Sequence, residues 1–140
     1  MQQLSLLQNK STMIGGVRSA IKAALRLAAA ESSMSREQIL DAMNDYAREH
    51  GICLTRGNAK ALGMASLEKW LNPNVGDFPG PEALHVFALV LHDMSFLDIQ
   101  AQVHGCRVIN AEEGRLLKKQ QILEEIAAKR KELKRLEAEG

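Results

Sequence analysis

The sequence predicts an all-α protein: a compact body of five helices followed by one long C-terminal helix. Three observations carry this. Hydrophobic residues make up 46% of the 140 residues but aromatics only 4%, so the core is aliphatic. Runs of β-branched or aromatic residues with period two are nearly absent. Apolar residues instead recur at spacings of three and four, bounded by residues that start and stop helices.

Residues 1–16 end in Gly15-Gly16 and carry only a brief apolar cluster (Leu4, Leu6, Leu7), which reads as an N-terminal arm. The first helix follows. Val17, Ala20, Ile21, Ala24, Leu25 and Ala28 form one apolar stripe. Arg18, Lys22 and Arg26, spaced i, i+4, i+8, form a basic row on another face. That row is either solvated surface or a set of phosphate contacts. Ser35 with Gln38 three residues on makes a capping box for a second helix, with Ile39, Leu40, Met43, Tyr46 and Ala47 inward and Gly51 at its end. In residues 51–63, Ile52–Thr55 reads as a short extended piece and Arg56-Gly57-Asn58 as a turn, with Arg48, Arg56 and Lys60 supplying positive charge.

The third helix lies in "MASLEKWLNPN", Met64 to Asn74, which holds the only tryptophan and stops at Asn-Pro. Leu67, Trp70 and Leu71 are spaced to face inward as its anchor. Ala65, Ser66, Glu68, Lys69 and Asn72 then face outward, and Pro73 stops the helix because it would cost about 3 kcal/mol inside one. Pro81 suits the first position of a fourth helix, and Ala83–Leu91 is apolar nearly all round, so that helix should be central. His85 and His92 border it as ordinary boundary residues. Ser95 with Asp98 reads as the start of a fifth helix, ended by Gly105; Cys106–Ile109 reads as extended. Asn110 caps the last helix, with Glu113 three residues on.

Residues 111–140 hold eight cations and seven anions. Leu116, Leu123, Ile126, Ala127, Leu133 and Leu136 trace a thin apolar seam, interrupted by Lys119, Lys129 and Arg130. A partial coiled coil, and hence a homodimer, accounts for it; the alternative is a solvated tail. The expected organisation is therefore an arm at 1–16, a body at 17–109 and a dimerisation helix at 110–140.

The formal net charge is +1, unlike that of a nonspecific nucleic-acid binder. Its distribution is uneven, however. Residues 1–35 carry four cations and one anion; residues 81–110 carry one cation and three anions. Cys53 and Cys106 lack metal-ligand spacing and read as reduced structural thiols of a cytoplasmic protein. The first ten residues hold one Lys and no apolar run of signal-peptide type, and no segment approaches a membrane span. No phosphate-cradling glycine loop, paired histidines at metal spacing or nucleophile with a base is evident. No enzyme activity, metal or cofactor is expected.

A second helix followed by a short one with a small polar outer face is the pair that a helix-turn-helix reader requires. B-form DNA's major groove, about 12 Å wide, admits one helix. "SREQILDAMN", then "ASLEKWLNP", then "PGPEALHVFALVL" resemble the lambda-repressor-like helix-turn-helix family over roughly residues 17–105. The "LEKWLNP" block is also similar to small regulators and conserved proteins of Mu-like prophages. The resemblance implies a transcriptional regulator that binds double-stranded DNA. It places Ser35 and Arg36 on backbone phosphate, and Ala65, Ser66 and Lys69 toward the groove. The connection departs from the family's short turn, because residues 51–63 intervene; Arg56 and Lys60 are expected to take part of the phosphate contact. The competing expectation is a small helical adaptor or inhibitor that binds a host protein through its acidic helices or its coiled-coil tail.

Overall fold

The computed structural model describes residues 15–57 and 61–140. Among these residues there are six α-helices and no strand: α1 (Val17–Glu31), α2 (Arg36–His50), α3 (Met64–Leu71), α4 (Pro81–Leu91), α5 (Ser95–Val103) and α6 (Ala111–Glu139). They divide into two compact units, one running to Arg107 and the other spanning Val108–Gly140. No described helix is long and apolar enough to cross a membrane. The arm at residues 1–14 lies outside the described residues.

Local chemistry sets most of the boundaries. The Ser35 side chain accepts from the Gln38 backbone N–H at 3.1 Å, and the Gln38 side chain accepts from the Ser35 N–H at 2.8 Å. Both orphan donors at the start of α2 are thereby satisfied. Gly51 closes α2 in the left-handed conformation, φ 65°, where a side chain would be strained. Pro81 opens α4, and Asn110 caps α6 by accepting from the Glu113 N–H at 2.8 Å. At α5 the expectation of a Ser95 cap is corrected. Ser95 lies inside the helix, and the Asp93 carboxylate accepts from its N–H at 2.9 Å. Asp93 lies two residues upstream, within reach of the same donor, and takes the bond. Ile52–Thr55 and Cys106–Ile109 form no strand, because no partner strand exists among the described residues.

The first unit closes over one aliphatic core that includes Ile21, Leu25, Ile39, Met43, Leu67, Leu71, Val86, Phe87 and Phe96. α1 packs on α5 and α3, and α2 packs on α4 and α3. α3 is therefore held from two sides. The buried face of α1 is Ile21, Leu25, Ala28 and Ala29, rotated from the expected stripe so that Ala20 is exposed. The connection from α2 to α3 is seated by Leu54 and Leu62, both buried. Asn44 clamps its far end: its Nδ2 donates to the Leu62 carbonyl at 3.0 Å and its Oδ1 accepts from the Leu62 N–H at 2.8 Å. Cys53 and Cys106 are free and exposed rather than structural: neither side chain belongs to the core.

α6 forms the bulk of the second unit and buries no residue. Leu116, Leu123, Ile126, Leu133 and Leu136 are all between 41 and 57% exposed, so the seam is bare.

Candidate functional site

α3 positions the site. Eight residues are too few for a helix stable on its own in water. Gly63, its N-cap, supplies no side-chain bond. Burial does the holding: Leu67 is 0% and Leu71 2% exposed, each contributing about 1.5–3 kcal/mol. The expected third anchor, Trp70, packs against the core but is only partly buried: it projects along the flank shared with Ser66, one turn earlier, and walls a cavity there. Ala65, Glu68 and Lys69 are exposed and Asn72 is half-buried, so the outward edge of α3 is open.

On one side of that edge lies an open cleft of about 260 Å³, lined by Arg26 from α1, Arg36 from α2, and Glu68, Lys69, Leu71, Asn72 and Val75. Three cations face one carboxylate. Arg36 Nη1 donates to Glu68 Oε2 at 3.1 Å, tying the start of α2 to the middle of α3. Both partners are partly solvated, so the pair contributes at most about 1 kcal/mol. Its main effect is to offset Glu68, leaving Arg26 and Lys69 as the cleft's excess positive charge.

On the other flank is a larger cavity of about 520 Å³, walled by Arg18, Arg56, Ser66 and Trp70 together with the loop and first turn leading into α4. The Arg18 guanidinium lies 4.6 Å over the Phe78 ring, a cation–π stack.

The expected site residues therefore separate. Arg26, Arg36, Glu68, Lys69 and Asn72 converge on the cleft; Arg18, Arg56 and Ser66 line the cavity; Ala65 lies on the exposed edge and lines neither. Ser35 is exposed, its oxygen engaged in the α2 cap. Lys60 lies outside the described residues. Lys22 is corrected outright: it is 3% exposed and its Nζ donates to the carbonyls of Val75 and Asp77. It is a tether between α1 and the loop after α3, not a phosphate contact. Burial holds its ammonium below the ordinary lysine value of 10.5; Asp77 opposes that shift and Arg18 adds to it.

Sequence reasoning missed Phe78 and Asp77 in the "NVGDFPG" loop. An aromatic between glycines and prolines, where no helix needs it, was the available signal. No family model, curated protein or solved structure matches the chain.

Proposed function

We propose that this protein binds double-stranded DNA in a sequence-dependent way, with α3 entering the major groove as the second helix of a helix-turn-helix pair formed with α2. In this reading it is a transcriptional regulator of the lambda-repressor-like, prophage type, and α6 joins two copies through its bare apolar seam. One observation carries the reading: the uncovered edge of α3 is bordered by cations from two other helices, Arg26 and Arg36, beside its own Lys69. A short helix anchored behind and open in front fits a groove, and cations at its border suit the phosphates that line it.

Lys69, Asn72 and Ala65 are the residues on that edge with reach to base edges, and Arg26 is the leading phosphate contact. Glu68 is offset by Arg36, so its charge does not oppose approach to the backbone. A second reading, a helical adaptor for a host protein, draws on a different observation: α6 exposes leucines and isoleucine along its length with nothing covering them.

Selection of bound duplexes from a random pool tests the first reading and returns the site. Affinity should fall steeply with salt as phosphate contacts are screened. Lys69→Ala should shift sequence preference by about 1–3 kcal/mol at one position, whereas Arg26→Ala should weaken all duplexes alike. Failure to shift any duplex at low salt overturns DNA binding and leaves the adaptor reading.

A further inference from the structure

The cavity behind α3 is not needed for groove entry, yet it gathers an unusual set of side chains. The only tryptophan and one of three phenylalanines wall it. Both are partly buried, while the aliphatic Leu67 and Leu71 fill the core beneath α3. Both rings pack against that core with part of their surface, and the part left uncovered borders the cavity. Two guanidiniums, Arg18 and Arg56, and two carboxylates, Asp77 and Glu82, share that wall. Its volume of about 520 Å³ lies within the range of small-molecule sites.

We infer that this cavity binds a nucleotide: a planar base carrying a phosphate. Each part of such a ligand has a counterpart. The part of the Trp70 ring that the core leaves uncovered offers a surface on which a base stacks regardless of its identity. Arg18 is already stacked on Phe78, which fixes the guanidinium plane while leaving its N–H fork for an anion. Arg56 adds a second cation from the connection between α2 and α3. Asp77 and Glu82 accept from ribose hydroxyls or an exocyclic amino group. A purely anionic ligand would leave the two carboxylates opposed to it, and a purely apolar one would use none of the four charged side chains. The nucleotide is either free or one unit of a single strand; the chemistry is the same.

Trp70 reports from inside the site, since no other tryptophan contributes to fluorescence. The full chain, without duplex, is titrated with adenosine and guanosine monophosphate, with adenosine, with inorganic phosphate, and with a short single-stranded oligonucleotide. The expected result is saturable quenching by a monophosphate at submillimolar concentration, with adenosine and phosphate each at least about tenfold weaker. Saturation by the oligonucleotide alone assigns the nucleotide to a strand. Arg18→Ala should weaken binding at least about tenfold, Arg18→Lys by less, and Arg26→Ala, in the other cleft, not at all. Absence of saturable quenching by any nucleotide up to millimolar levels overturns the inference. So does phosphate binding as tightly as the monophosphate, or an unchanged affinity in a folded Arg18→Ala variant. Because no duplex is present, either result leaves the groove-binding proposal standing or falling on its own assay.

Discussion

α3 and α6 are both helices, and almost nothing that holds one holds the other. α3 has 8 residues, no side-chain cap and two fully buried leucines, and it lies against α1 and α2. α6 has 29 residues, an Asn110 cap and no buried residue. Its visible supports are that cap, Arg115–Glu112 one turn apart, and Arg135–Glu139 at 3.8 Å. The short helix exists because its neighbours hold it. The long one runs about 40 Å on local terms alone and exposes its leucines along the way. A helix stabilised from behind can dedicate its front to recognition. A helix that buries no residue has apolar surface to offer a second copy or another partner.

The comparison can be broken most severely at Leu67. Leu67→Ala should cost about 2–5 kcal/mol in denaturant unfolding, because the cavity it leaves lies under the whole of α3. The same truncation at Leu133 should leave the unfolding of the first unit unchanged. Trp70→Ala comes next, at about 2 kcal/mol, less than a fully buried indole because part of the ring already faces the cavity. A loss as large as that at Leu67 would make the indole an anchor after all. Asn110→Ala should cost α6 about 1 kcal/mol, read as lost helicity in circular dichroism with no change in the first unit. Truncation after Asn110 should leave the first unit's unfolding midpoint unmoved while sedimentation shows a dimer becoming a monomer. An unchanged mass would refute assembly through α6.

The smallest effect is on pH dependence. Lys22 releases its proton at lower pH in the folded protein than in the unfolded chain. Between those two values the unfolded chain binds more protons, so stability rises with pH in the range just below 10.5. Lys22→Met should remove that rise, measured as the difference in unfolding midpoint between the two proteins across the range.

Where a boundary depends on residues within one turn, the sequence was legible everywhere but at α5, where Asp93 takes the Ser95 N–H. Ser35 with Gln38, Gly51, Pro81 and Asn110 all act where their spacing implies. The same spacing logic found Leu67 and Leu71. It failed where a distant backbone decides. Lys22 sits in a row with Arg18 and Arg26 and shares their chemistry; only the carbonyls of residues 75 and 77, more than fifty positions away, draw it inward. Trp70 satisfies the inward spacing with Leu67 and the flanking one with Ser66, and it serves both, packing partly on the core and partly walling the cavity beside the "NVGDFPG" loop. Glu68 reads only as an outward-facing residue in the sequence; α2 brings Arg36 to it.

The Lys22 tether also joins two places that sequence keeps apart. Val75 closes one end of the cleft, and Asp77 belongs to the wall of the cavity on the opposite flank of α3; one ammonium grips the carbonyls of both. Replacing that amine removes both bonds at once, so the cleft and the cavity share a single support at this point.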